Sequence, residues 1–162
     1  MISGDERANK AVGGLDDKYG IELILDLHGC NASTFTRESI KAYFERLCDL
    51  IDMKREELHF WDDIGIPEEE KQTLPHTQGT SAVQFILTSS IVIHTLDQLE
   101  AVYINIFSCK AYDPEVAENF SVEWFPSPSR MDQGMTERFW KKCHLWGGVR
   151  RTIRASRCLR VH

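Results

Sequence analysis

The sequence predicts an α+β fold in which helices pack on one face of an antiparallel β-sheet. Three observations support this prediction: an apolar run with a period of two near the start, a helical apolar stripe directly after it, and several β-rich runs with no helix between them. A parallel nucleotide-binding sheet is disfavoured, because the chain carries neither a GxGxxG motif nor a P-loop. The length of 162 residues fits one domain.

The first two elements are a strand and a helix. Apolar residues alternate with Glu22 and Asp26 from Ile21 to Leu27, which is typical of a half-buried strand. After Thr36 the apolar residues recur every three or four positions, at Ile40, Tyr43, Phe44, Leu47, Leu50 and Ile51. This pattern predicts an amphipathic helix with Thr36 as its N-cap and a hydrophobic contact between Phe35 and Ile40.

The rest of the chain is predicted to contain three strands and two helices. Residues 53–78 are charged and contain Gly65, Pro67 and Pro75, so they are predicted to form mainly a long connection. The strands are predicted at Ala82 to Leu87, Ile91 to Thr95 and Ala101 to Ser108, and the helices at Pro114 to Phe120, capped by Asp113, and at Glu137 to Trp146.

Charge is distributed unevenly along the chain. The formal net charge is -6, yet the residues from Arg130 onward hold nine Lys and Arg against two acidic residues, a net charge of +7, and the remaining 10 basic and 23 acidic residues give -13. We therefore predict a polar leader (1–19), a main domain (20–129) and a basic C-terminal extension (130–162). The extension is expected to lie on its own acidic body or on a partner subunit, which argues against nucleic acid as the partner.

The cysteines and the absence of targeting signals indicate a cytoplasmic protein with free thiols. No run of about 18 apolar residues is present to span a membrane, and residues 1–18 do not resemble a secretory signal. The five cysteines are odd in number and form no CxxC pair, which argues against a disulfide framework and against a zinc site.

The chemically suggestive residues lie between Gly79 and Cys109, where hydroxyl side chains, one histidine and one cysteine occur among the predicted strands. Their motifs are Gly79-Thr80-Ser81, Thr88-Ser89-Ser90, Ile93-His94-Thr95 and Phe107-Ser108-Cys109. On residue types alone they fit either an acyl-transfer site built from Ser, His and Cys or ordinary strands with hydrogen-bonded hydroxyl groups.

These motifs resemble the core of the bacterial and archaeal S-adenosylmethionine decarboxylase proenzymes. That family carries a Gly-x-Ser segment, a Glu-Ser-His cleavage motif, a following Ile-His-Thr and a Phe-Thr-Cys at the end of the next strand. Asp26-Leu27-His28-Gly29-Cys30 also resembles the end of its first strand. The resemblance covers roughly residues 20–120, apart from 53–78, and it implies the family's α+β fold.

The resemblance also implies a self-made cofactor and a role for each matching residue. Ser89 would attack the Thr88 carbonyl, the chain would be cut between them, and Ser89 would become a pyruvoyl group that binds the substrate amine as a Schiff base. Ser81 and His94 match the processing residues, and Cys109 matches the proton donor. The implied substrate is S-adenosylmethionine, used for polyamine and spermidine synthesis, and the implied assembly is a homo-oligomer, a dimer of processed protomers.

The sequence departs from the family pattern at three positions. Thr88 replaces the family's glutamate, which contributes to substrate binding; Ser90 replaces a histidine, so that cleavage before Ser90 is an alternative; and Glu22 replaces a first-strand histidine. Two further hypotheses therefore stay open: a pyruvoyl-dependent arginine or ornithine decarboxylase, and an unprocessed homologue that acts as a binding or regulatory partner.

Substrate-binding residues are not identified by any motif. Phe60 and Trp61 are candidates for stacking on a sulfonium ion, because a cation is attracted to an aromatic face. The neighbouring His59, Asp62 and Asp63 fit no metal-ligand spacing well, so no metal is predicted.

Overall fold

The computed structural model describes residues 18–126 and 149–157, which form a six-stranded sheet and two α-helices. The strands are β1 (Lys18–His28), β2 (Arg55–Trp61), β3 (Ser81–Ile86), β4 (Ser89–Leu96), β5 (Ala101–Ser108) and β6 (Val149–Arg157), and the helices are α1 (Arg37–Leu50) and α2 (Pro114–Trp124). The helix predicted at Glu137 to Trp146 lies outside the described residues.

The sheet has the order β2-β3-β4-β5-β1-β6, and every described pair of strands is antiparallel. One face is the core face, on which Leu25, Ile104, Ile93 and Ala82 lie side by side in register. All four are buried. Together with the two helices, this arrangement confirms the predicted α+β fold class.

Both helices present buried apolar residues to the core and contact each other. Tyr43 of α1 is fully buried, and its hydroxyl lies 2.8 Å from Ser121 Oγ of α2. Burial raises the pKa of Tyr43, so the phenol stays neutral and serves as a hydrogen-bonding group within the core. The ring also packs on Phe120 with centroids 5.7 Å apart. These contacts hold α1 and α2 together over the sheet.

The helix caps agree with the predictions. The Thr36 side chain accepts a hydrogen bond from the Ser39 N–H at 3.2 Å, and Asp113 Oδ1 accepts from the Glu115 N–H at 2.9 Å. Helix α2 continues to Trp124, beyond the predicted end at Phe120, and the Trp124 indole N–H donates to Ser39 Oγ at 3.2 Å. The longer helix is stabilised by this contact with α1.

Strand β2 lies inside the segment that was predicted to be mainly a connection. Leu58 and Phe60 pack against the core, but the strand begins with the charged residues Arg55, Glu56 and Glu57 and lies at the sheet edge. Edge strands tolerate such charges, so the apolar alternation is short. The buried amide of Gln84 donates to the carbonyls of Glu56 and Glu57 where the register shifts. This side chain secures β2 to β3.

At the other edge, β6 pairs with β1. The backbone positions of Arg150 and Arg154 lie opposite Asp26 and Glu22 respectively. Part of the basic extension thus lies along the strand that carries these two acidic residues.

We call the second face of the sheet the open face. Both described helices pack on the core face, while the open face carries the alternate residues Glu22, Ile24, Asp26, Val83, Phe85, Ser90, Val92, His94, Tyr103, Asn105 and Phe107. Most of these side chains are half-buried, and Phe85 and His94 are exposed. The open face therefore combines apolar, aromatic and polar groups.

Candidate active site

Three chain corners meet at one end of the sheet: residues 52–54 after α1, residues 87–89 between β3 and β4, and residues 108–110 after β5. The Leu87 N–H donates to the Lys54 carbonyl at 3.1 Å. The Lys110 ammonium donates to the Asp52 carbonyl at 2.6 Å and also pairs with its carboxylate, which lowers the pKa of Asp52. These contacts connect residues that are far apart in sequence.

The predicted cleavage site lies in a tight hairpin turn. Because Ile86 pairs with Ser89, only Leu87 and Thr88 remain to reverse the chain between β3 and β4. Thr88 has φ +59°, a left-handed conformation that costs an L-residue about 1–2 kcal/mol and is especially uncommon for a β-branched side chain. The peptide bond between Thr88 and Ser89 therefore follows directly on a strained residue.

Cys109 contacts both residues of that bond. Its N–H donates to Ser89 Oγ at 3.0 Å, and its Sγ lies 2.9 Å from Thr88 Oγ1. The thiol is exposed, and hydrogen bonds from Thr88 first and Ser89 second lower the pKa of Cys109. By contrast, burial raises the pKa of Cys48 to about 11. The thiol of Cys109 is thus exposed and has a lowered pKa, whereas the thiol of Cys48 is buried and has a raised one.

Ser81 and His94 form a second pair on the open face. They lie opposite each other on β3 and β4, with Ser81 Oγ 2.9 Å from His94 Nδ1. His94 is five residues beyond Ser89 on the same strand, a separation of about 16 Å at 3.3 Å per residue. Within one protomer the structure therefore brings together Thr88, Ser89 and Cys109, and separately Ser81 with His94.

The candidate aromatic residues Phe60 and Trp61 lie away from Cys109 in the protomer. The Arg37 guanidinium covers the Phe60 ring at 5.6 Å, and Trp61, 75% exposed, lies opposite Ser81.

The adjacent acidic residues have other partners. Asp62 accepts from Arg37 at 2.6 Å, which lowers the pKa of Asp62, and Asp63 accepts from the Gln72 N–H. Across residues 18–126 and 149–157, no three His, Cys, Asp or Glu side chains converge as metal ligands would.

Two features of the site were not found from sequence. One is the contact between Thr88 and Cys109, and the other is the Asp52–Lys110 pair that joins the corners beside it. Sequence distance hides both, because 21 and 58 positions separate the partners. The available signal was the short gap of residues 88–90 between the predicted strands Ala82 to Leu87 and Ile91 to Thr95, which is typical of a hairpin turn.

Comparison with known proteins identifies the family. The profile of the S-adenosylmethionine decarboxylase family matches residues 21–138, most of the chain. The chain belongs to the S-adenosylmethionine decarboxylase family. This agrees with the resemblance drawn from the motifs, and it makes the protein an enzyme of the S-adenosylmethionine decarboxylase type.

A solved structure supports the fold. The crystal structure of the adenosylmethionine decarboxylase from Aquifex aeolicus VF5 matches with a TM-score of 0.60 and 13% sequence identity, over 90% of this chain and 97% of that one. The search of curated proteins gave no match. In the described ranges, neither helix has the length and apolar character needed to cross a bilayer.

Proposed function

We propose that this S-adenosylmethionine decarboxylase family member is a pyruvoyl-dependent enzyme, made by autocatalytic cleavage between Thr88 and Ser89. Its proposed substrate is S-adenosylmethionine, its proposed place is spermidine and polyamine biosynthesis, and its proposed location is the cytoplasm. The observation that carries the proposal is the junction itself, where a strained Thr88 precedes Ser89 and both hydroxyl groups lie against Cys109.

The proposed cleavage uses only the chain and one water molecule. Ser89 Oγ attacks the Thr88 carbonyl carbon, and the peptide nitrogen leaves as the α-amine of residue 89, which gives an ester. Removal of the proton on the residue 89 Cα expels the Thr88 carboxylate and leaves an enamine. Addition of one water and loss of one ammonia then produces the ketone of the pyruvoyl group. Strain at Thr88 favours the first step, because opening the peptide releases it.

The residues around position 89 fit a pyruvoyl group. Such a group supplies an electrophilic carbonyl that withdraws electrons from the bond to the substrate carboxylate. Cys109 is the residue we assign to protonate the substrate carbon after carbon dioxide leaves, because its thiol is exposed and lies beside residue 89. A thiol with a lowered pKa is a stronger acid, which favours this transfer near neutral pH.

Ser81 and His94 are proposed to assist cleavage in a partner subunit. They lie about 16 Å along β4 from the Ser89 of their own protomer, too far for proton transfer, but their side chains share the open face with Cys109, which follows β5 in register. A symmetric dimer formed across this face would bring the pair of one protomer towards the Thr88–Ser89 bond of the other. The half-buried apolar residues Ile24, Val83 and Val92 provide apolar surface for such an interface.

The cleavage proposal is tested by intact mass measurement of the purified protein, with Ser89→Ala as the matched uncut control. We expect two fragments, residues 1–88 and residues 89–162. Borohydride should raise the mass of the second fragment by two hydrogen atoms, because it reduces the ketone at residue 89 to an alcohol, and it should leave the mass of the Ser89→Ala chain unchanged. The mass before reduction also identifies the cut site, since cleavage before Ser90 shifts both fragments by one residue. A single wild-type chain with an intact Ser89 would contradict the cleavage proposal.

The substrate is tested by carbon dioxide release from carboxyl-labelled S-adenosylmethionine, arginine and ornithine. Release from S-adenosylmethionine is the expected result. Release from arginine or ornithine instead would support the alternative, which is compatible with Thr88 in place of the family's glutamate.

A further inference from the structure

We propose that Thr88 is a positioning residue whose hydroxyl holds the thiol of Cys109 beside residue 89, before and after the chain is cut. The assignment rests on the proposed function for its catalytic meaning, but the contact itself does not depend on cleavage. It gives a role to the position at which this chain departs from the family's glutamate.

The geometry of the turn directs the Thr88 hydroxyl to the thiol. Thr88 is held in a left-handed conformation by the two-residue reversal between paired strands. Cys109 is held from the opposite side, because its N–H donates to Ser89 Oγ. The resulting distance between Thr88 Oγ1 and Cys109 Sγ is 2.9 Å. Glycine or asparagine would adopt this turn with less strain, so the threonine is better explained by its hydroxyl than by its backbone.

The hydroxyl can bond the sulfur in both protonation states. Thr88 Oγ1 also lies 2.7 Å from the Leu87 carbonyl. When the sulfur is protonated, its S–H donates to Oγ1 and the hydroxyl donates to Leu87. When the sulfur is a thiolate, the hydroxyl turns to donate to the sulfur, which lowers the pKa of Cys109. The Cys109 thiol, which we propose gives up and regains a proton in each turnover, is thereby held beside residue 89 in both protonation states.

Cleavage makes this contact more important. In the uncut chain the hydroxyls of both Thr88 and Ser89 interact with Cys109. During cleavage Ser89 Oγ is transferred to the new Thr88 carboxylate, so residue 89 no longer offers a hydroxyl. Thr88 keeps its side chain, and the bond from the Leu87 N–H to the Lys54 carbonyl still anchors the residue before it, so the hydroxyl stays within reach of the thiol at the new chain end.

The first test measures the thiol directly in a Ser89→Ala background, which is uncut whether or not the wild type is processed. The rate at which iodoacetamide alkylates Cys109 is followed against pH by peptide mass spectrometry for Thr88, Thr88→Val and Thr88→Ser. Valine keeps the β-branched shape without the hydroxyl, and we expect it to move the alkylation pKa upward and to slow the reaction at pH 7 roughly fivefold, as loss of one hydrogen bond predicts. Thr88→Ser keeps a hydroxyl and should restore the dependence of the alkylation rate on pH that is seen with Thr88.

Two results would overturn the assignment: an alkylation profile in Thr88→Val equal to that of its parent, or the same loss in Thr88→Ser and Thr88→Val. Continued protection of the buried Cys30 and Cys48 reports that each variant is folded. A second arm measures turnover of the processed enzyme, where Thr88→Val should lower kcat roughly fivefold and leave KM unchanged. A wild-type chain that stays uncut would defeat the proposed function, while the alkylation arm would still decide the Thr88 contact.

Discussion

At the scale of single residues, the surroundings of each cysteine decide what it can do. Cys30 and Cys48 are buried, and burial raises the pKa of Cys48. Cys109 ends an apolar strand, where the sequence alone is equally consistent with a buried small side chain. The structure places it instead at the surface, with two hydroxyl groups beside it. Its accessibility and lowered pKa are what make it a candidate acid.

Replacement of Cys109 distinguishes a role in cleavage of the chain from a role in decarboxylation of the substrate. We expect Cys109→Ala to leave cleavage largely intact, because the contact with Ser89 Oγ is made by the backbone N–H and survives the change. Carbon dioxide release should fall at least about 100-fold, which is typical for loss of a general acid. Fragment masses and turnover are measured on the same preparation, with Cys48→Ala as the control. Undiminished decarboxylation would refute the donor role.

At the scale of elements, a strong apolar periodicity was sufficient to predict a helix or a strand from the sequence, and a weak one was not. The sequence predicted β1, α1, β3, β4, β5 and the start of α2, because each has a clear apolar period or a capping residue. It missed β2, which has only two inward apolar side chains and begins with three charged residues. It also could not predict the left-handed Thr88, because that conformation follows from how β3 and β4 pair. The motif residues were found from sequence, but their grouping into two separate sets was not.

The attachment of β2 depends on Gln84. The variant Gln84→Met should lower the free energy of unfolding by about 1–3 kcal/mol, because it leaves the carbonyls of Glu56 and Glu57 without the amide that bonds them. Urea denaturation measures the change. Gln72→Met makes the same substitution at an exposed side chain and should have little effect. Equal stability of the two variants would show that the Gln84 amide does not secure the strand.

At the scale of the whole molecule, one protomer holds two incomplete groups of candidate residues. The strand geometry fixes their separation, since Ser89 of one group and His94 of the other lie five residues apart on β4. No side-chain rotation spans about 16 Å. The processing site that we propose therefore needs residues from two copies, which links the proposed chemistry to the proposed dimer.

Mixed dimers test this requirement. Neither His94→Ala nor Ser89→Ala is expected to be cut when expressed alone, because one lacks the processing histidine and the other the reacting hydroxyl. When the two are co-expressed with different tags, the His94→Ala chain should be cut by the His94 of its partner. The cut fraction of that chain should not exceed the fraction of it that is in mixed dimers. The Ser89→Ala chain should stay whole. Cleavage of His94→Ala on its own, or no cleavage in the mixture, would contradict action between subunits.

The strand order gives the proposed cut a consequence for how the molecule comes apart. Residues 1–88 supply β1, β2 and β3, while the remaining residues supply β4, β5 and β6. Because β1 lies between β5 and β6, and β3 pairs with β4, the two fragments interleave at three strand boundaries. A cut enzyme would hold together as a native particle, yet its unfolding would release two molecules. Refolding of a single protomer would then become bimolecular, whereas a protomer of the continuous precursor refolds from one chain.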